Sequence, residues 1–286
     1  MKLEQNILQF ANAGAVQTGY IDVPRALSAV NGKSIAQTKR SKGKYKPLGY
    51  LVRVRSLVGD LTVSSLNCGY PTRNAVVLAG HARDEMLKKS GISRSNLESY
   101  QKELRLLMDG SMLTNHSNMF FPGATDVGTG SGGWGHALTY DYTKLVISDP
   151  DTAGTEISAS LRVLGTQSDN QDDWDADGGF YVIDNWHRWR HSFTPASDDN
   201  DIKNNVFSYA IQQSDTAGKV IDMLDDSQDE KPYDLDEFKT QTMDTIVGTG
   251  VGNPTSAVFC APLGLLKVVA DATCAWEVEV VGVVEL

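Results

Sequence analysis

Tyr50-Leu51-Val52-Arg53-Val54-Arg55 is the stretch that decides the fold class. Tyr50, Val52 and Val54 recur at a period of two and oppose Arg53 and Arg55, the pattern of a strand with one buried and one wet face. Ser56-Leu57-Val58 extends it, Gly59-Asp60 marks a turn and Leu61-Thr62-Val63 returns. The stretch therefore predicts an antiparallel hairpin or close pair over residues 50–63. The same period closes the chain: in Trp276-Glu277-Val278-Glu279-Val280-Val281, three apolar side chains oppose Glu277 and Glu279. That final strand is expected to pair inside a sheet.

Between these two stretches β patterns prevail. Ile157, Ala159, Leu161 and Val163 alternate with Ser158, Ser160 and Arg162, as do Leu138, Tyr140 and Tyr142 with their neighbours. Short runs follow at 180–183, 186–193, 206–211, 257–260 and 265–269. Polar loops over 122–136, 165–179, 195–205, 226–236 and 247–256 separate them, which points to an antiparallel sandwich. Helical spacing is confined to a few places. Val76, Val77, His81 and Leu87 form one stripe that Gly91 ends. Ser95 and Glu98 form a capping box for a second helix carrying Leu97, Tyr100, Leu104 and Leu107. Residues 72–109 thus read as a helical insertion between strands. A short helix is expected over 215–225. Another is expected over 3–13, where Leu3, Ile7 and Phe10 share a face and Gly14 offers a stop. Residues 1–47, ending in a polar loop, read as an N-terminal arm.

The chain has 286 residues, 41% hydrophobic and 22% charged, which excludes wholesale disorder. Its net charge of −10 disfavours a surface that binds nucleic acid throughout. That mean hides a split. Residues 1–110 carry 17 basic and 8 acidic side chains, whereas 111–286 carry 9 and 28, so two electrically different ends are expected. Five cations, Lys39, Arg40, Lys42, Lys44 and Lys46, stand within eight residues without an acid. They read equally as a phosphate contact and as a solvated linker. No apolar run approaches the roughly 18–20 residues that span a bilayer, and Met1-Lys2-Leu3-Glu4-Gln5-Asn6 has no signal-peptide core. Three scattered cysteines, Cys68, Cys260 and Cys274, suggest small buried hydrophobes rather than a disulfide framework.

Asp173-Trp174-Asp175-Ala176-Asp177-Gly178 is the sharpest local motif. Acids at positions 1, 3 and 5 with Gly at 6 and Asp184 at 12 match the spacing that folds oxygens around calcium. Asp at position 12 is shorter than the usual Glu, and the flanks read as strands. The competing reading is an acidic loop in an aspartate-rich chain. Gly128-Thr129-Gly130-Ser131-Gly132-Gly133 fits a dinucleotide pattern but lacks a following helix. His187-Arg188-Trp189-Arg190-His191 reads foremost as an amphipathic edge strand. No nucleophile elbow or singled-out acid pair supports hydrolysis.

The order of these pieces resembles the double-jelly-roll major capsid proteins of small tailless icosahedral phages, particularly those containing lipid. The short N-terminal amphipathic segment, the strand pair over 50–63, the long loops with interrupting helices and the strand over 276–281 carry the resemblance. It implies two jelly rolls, over 48–166 (with the helical insertion 72–109) and 167–286. It further implies a homotrimer of pseudo-hexagonal outline that tiles an icosahedral virion, assembled in the host cytoplasm. On this reading the chain is a structural protein, not an enzyme, and requires no cofactor. Its partners are neighbouring capsomers, other virion proteins, and an internal membrane or genome. Lys39, Arg40, Lys42, Lys44 and Lys46 would face those contents, with Leu3, Ile7 and Phe10 on a membrane- or neighbour-facing arm. The alternative is a calcium-dependent β-sandwich binding module, a receptor- or carbohydrate-binding phage protein using Asp173, Asp175, Asp177 and Asp184. A β-rich hydrolase is a further rival.

Overall fold

The structure, a computed structural model, describes residues 5–97, 102–112, 117–124, 142–148, 156–165, 179–186, 241–246 and 254–286. It is mainly β. In chain order the strands are β1 (Ile7–Asn12), β2 (Gln17–Asp22), β3 (Thr38–Ser41), β4 (Lys44–Val58), β5 (Leu61–Ser65), β6 (Lys144–Ser148), β7 (Glu156–Arg162), β8 (Gly179–Tyr181), β9 (Gln241–Ile246), β10 (Phe259–Pro262), β11 (Leu265–Ala270) and β12 (Cys274–Glu285). Helix α1 spans Val23–Asn31 and α2 spans Tyr70–Lys89.

Two curled antiparallel sheets form the body. One runs β1-β12-β4-β10, with β3 hairpinned onto β4, and the other runs β2-β11-β5-β9. Leaving β3 aside, the pairing is nested. The first strand pairs with the last, β2 with β11, β4 with β10, and β5 with β9. This is the wrapping order of an eight-strand jelly roll, and it is assembled from the two ends of the chain. The expected boundary at 166/167 therefore does not divide these sheets, since both contain strands from before and after it. The described strands supply one such roll.

Alternation explains the sandwich. Leu8 and Phe10 of β1, Val52 and Val54 of β4, and Trp276, Val278 and Val280 of β12 point inward. There they meet Ile21, Val63, Leu266 and Val268 of the second sheet. Phe10 and Trp276 are register partners and stack with ring centroids 5.9 Å apart, and Phe120 meets the indole edge-on at 4.8 Å. A second core lies on the other face of the second sheet. Tyr20 and Leu265 pack there against Val76 and Ala79 of α2, Leu104, Leu107, and Leu161 and Phe180 of the third sheet, β6-β7-β8.

Several sequence expectations are corrected here. Residues 7–12 form a strand rather than part of a helix, because the edge of β12 supplies hydrogen-bond partners that a short isolated helix lacks. The arm is not separate: residues 7–47 contribute β1, β2, α1, β3 and the start of β4 to the sheets. β4 and β5 do not pair with each other. Gly59 (φ 74°) turns the chain from one sheet to the other, and a Cβ there would lie 2.4 Å from the Thr273 carbonyl.

The first insertion helix exists as α2. Of the second, the described residues show a short 3-10 turn at Arg94–Asn96 and no α-helix over 103–110. Beyond it, backbone groups are satisfied from outside. Leu104 N–H donates to Thr38 Oγ1, Leu106 N–H to Gln37 Oε1, Arg105 N–H to Thr143 Oγ1, and Leu107 bonds to Leu161. Leu104, Leu106, Leu107 and Met108 are all fully buried, a demand that a one-sided helix cannot meet. Residues 182–186 are helical, so Trp186 does not begin a strand. The expected elements over 206–211 and 215–225 lie outside the described residues.

Asp22 joins the two cores. Its carboxylate caps α1 by accepting the Arg25 N–H at 3.0 Å, and it also accepts from Gln37 Nε2 and Tyr142 OH, each at 3.0 Å. Burial pushes this carboxyl up to about 6, against the opposing Arg25 N–H bond and charge.

Candidate functional site at the basic hairpin

The five expected cations lie on one β-hairpin, not in a loop. β3 pairs with β4 in the register Thr38↔Pro47, Lys39↔Lys46, Arg40↔Tyr45 and Ser41↔Lys44. Lys42 (φ 49°) and Gly43 (φ 81°) make the turn in the left-handed region. Lys39 thus stands directly opposite Lys46, a repulsive cross-strand pair. Glu285 of β12 relieves it by accepting from Lys39 Nζ at 3.3 Å with one oxygen and pairing with Lys46 through the other. Those two ammonium groups, Lys46 first, hold the Glu285 carboxyl below its usual range.

The opposite face of the hairpin docks on α2. Tyr45 is buried against Gly80, where an added Cβ would meet its ring at 2.2 Å. The Arg40 and Arg94 guanidiniums sit over that ring at 5.6 and 5.1 Å. Asp84 collects the charges, 2.7 Å from Arg40 and 3.0 Å from Arg94, and accepts the Tyr45 hydroxyl at 3.3 Å. Three of the five cations are therefore committed to Glu285 or Asp84. Lys42 and Lys44, exposed at the tip, have no acidic partner among the described residues. Glu285, Asp84 and Arg94 were missed by sequence reading, since no local spacing ties them to residues 39–46.

The outer face of the first sheet continues this pairing. Arg53 meets Glu279 at 3.3 Å, Arg55 donates through Nε and Nη2 to one oxygen of Glu277, and Gln9 donates to the other at 2.9 Å. Arg55, then Gln9, keeps Glu277 below its usual range. Charges of the basic and acidic halves of the sequence thus meet along β4 and β12, while most acids of 111–286 lie outside the described residues. Past a bulge at Val280/Gly282 the strand turns apolar, with Val281 (51%), Val283 (39%) and Val284 (38%) exposed. Beneath the bulge a groove of about 330 Å³ opens between Leu27, Ile35, Tyr50, Val280 and Val283.

The other expected residues scatter. Ile7 is exposed on the outer face, Phe10 is buried in the core, and Leu3 lies outside the described residues. Asp173, Asp175 and Asp177 of the acidic loop also lie outside them. Asp184 is 1% exposed within the helical turn after β8. The glycine loop over 128–133 and the residues 187–191 are likewise outside the described set. Among the described residues, no group of three or more metal-ligating side chains occurs, and no helix is long and apolar enough to cross a membrane. No family model, no curated protein and no solved structure matches the chain.

Proposed function

We propose that this protein is a structural subunit of a viral shell, built on a jelly roll and assembled from copies of itself. The observation that carries the reading is the nested eight-strand wrap closed by the two chain ends, with a long segment over residues 66–240 inserted between β5 and β9. Jelly rolls recur in capsid and lectin domains and offer broad faces for tiling. Two surface features support the capsid use. The exposed valines of β12 provide apolar area for a neighbouring copy to cover. The free tip of the basic hairpin provides a contact for phosphates of a genome or of lipid head groups.

On this reading Lys42 and Lys44 make that contact, while Lys39, Arg40 and Lys46 hold the hairpin in place. The protein needs no catalytic centre, acts in a virion, and has its own copies as main partners. A trimer presents three of the described rolls, and a pseudo-hexagonal outline requires a second roll per chain. Electron microscopy and native mass spectrometry of the purified protein test the proposal. Trimers, rings or shells are expected, and monodisperse monomers over a wide concentration range would overturn it.

A further inference from the structure

Cys68 and Cys260 are 192 positions apart in sequence yet meet in the fold. Cys68 follows β5 and immediately precedes the N-terminus of α2, while Cys260 sits in β10. The Cys68 thiol donates to the Cys260 carbonyl oxygen at 3.7 Å, which brings the two side chains close enough to interact. Their settings differ. Cys68 is exposed, whereas Cys260 is half-buried over Gly49, where an added Cβ would lie 2.6 Å from its sulfur. This corrects the expectation that all three cysteines are buried hydrophobes: only Cys274 is.

We propose that Cys68 and Cys260 form a modification site that takes small-molecule disulfides and closes into an intramolecular Cys68–Cys260 bond. The chemistry divides between the two thiols. The hydrogen bond from Cys260 lowers the Cys68 thiol to about 7, with a smaller contribution from Arg73 and against the effect of burial. The adjacent helix N-terminus, whose cap Gly69 offers no side chain, favours the same anion. Cys68, exposed and beside that helix N-terminus where Cys260 is half-buried, is therefore the attacking thiolate. It bonds to one sulfur of the incoming disulfide and expels the other half as a thiolate, which takes a proton.

Cys260 is held high mainly by its hydrogen bond to Cys68 and by burial. The hydrogen-bond contribution vanishes once Cys68 is capped. The Cys260 thiolate then attacks the Cys68 sulfur and expels the second small thiol. The protein loses two hydrogens, and the external disulfide is reduced to two thiols. The product fastens the start of the segment over residues 66–240 to β10, at the outer face of the first sheet. Cys274, 2% exposed and with its thiol pushed up to about 11 by burial, stays outside the reaction.

The site does not depend on the shell reading and is tested separately. The full-length reduced protein is exposed to oxidised glutathione near neutral pH, followed by intact mass and non-reducing peptide mapping. A Cys68–Cys260 linked peptide and free Cys274 are expected. Cys260→Ser should instead accumulate a single glutathione adduct on Cys68, and Cys68→Ser should slow modification of Cys260 roughly tenfold or more. Three unreacted thiols, a bond involving Cys274, or only Cys68–Cys68 bonds between copies would overturn the proposal. So would a Cys260→Ser protein that takes no adduct.

Discussion

Trp276 offers the most direct test of the sandwich core. It is fully buried in β12, stacked on Phe10 of β1 and touched edge-on by Phe120, which precedes the third sheet in the chain. Truncation to alanine removes both aromatic contacts and leaves a cavity, at a cost of about 3–5 kcal/mol. In a chain of this size each kcal/mol moves the thermal midpoint by about 2–4 °C, so Trp276→Ala should melt roughly 6–20 °C lower. Trp276→Phe tests a finer point. The indole N–H finds no acceptor among the described residues. Phenylalanine is smaller by about 40 Å³, which costs about 1 kcal/mol at about 24 cal/mol per Å³ of cavity. Removing a buried, unpaired donor returns about 1–3 kcal/mol. The two effects oppose each other, and Trp276→Phe is expected between wild-type stability and about 2 kcal/mol above it. Urea unfolding with matched slopes measures both variants. A Trp276→Phe protein as unstable as Trp276→Ala would refute the reasoning, because the indole would then have a partner worth keeping.

Three further outcomes follow from the same geometry. Asp22 titrates at about 6 in the fold, above the ~3.9 of an unfolded aspartate, so protonation favours the folded state. Its contribution is fully present below about pH 4 and is lost as pH rises through about 6, an effect on the order of 2–3 kcal/mol. The stability of wild type relative to Asp22→Asn should fall by that amount between pH 4 and pH 7 in urea titrations, and a constant difference rejects the assignment. Gly80→Ala should destabilise by about 1–3 kcal/mol, because its Cβ would meet Tyr45 at 2.2 Å. The same change at an open helix position stabilises by about 1 kcal/mol, so the sign of the measured shift decides whether Tyr45 packs there. Lys42→Ala with Lys44→Ala should leave the thermal midpoint unchanged and lower the salt dependence of binding to a DNA duplex by about 2 in the logarithmic slope. An unchanged slope would exclude the hairpin tip as a phosphate contact.

How far the sequence could be read depended on how local the physics was. Helix α2, the alternation in β7 and the strands near the C-terminus were legible because their signals sit within a few residues. Leu3, Ile7 and Phe10 misled: Ile7 and Phe10 are three apart, but Leu8 and Phe10 are two apart, and pairing with β12 made the second spacing decisive. Ser95 and Glu98 offered a capping box, yet Gln37, Thr38 and Thr143 captured the backbone groups of residues 104–106 that a helix would have bonded internally. The basic cluster was visible as composition, but not its division into three held and two free cations. That division depends on Glu285 and Asp84, which lie far away in the chain.

The sequence by itself determined the mainly β character, the faces of β4 and β12, the long helix and the concentration of cations at 39–46. These follow from periodicity and composition, which each segment carries alone. Only the tertiary structure decided that β4 and β5 part into different sheets, that the first strand pairs with the last, that opposite charges meet along β4 and β12, and that Cys68 reaches Cys260. Each of these joins residues separated by a turn or by most of the chain. The choice of partner rests on the summed burial of two facing sheets and on closing every backbone hydrogen bond, quantities that no single stretch encodes.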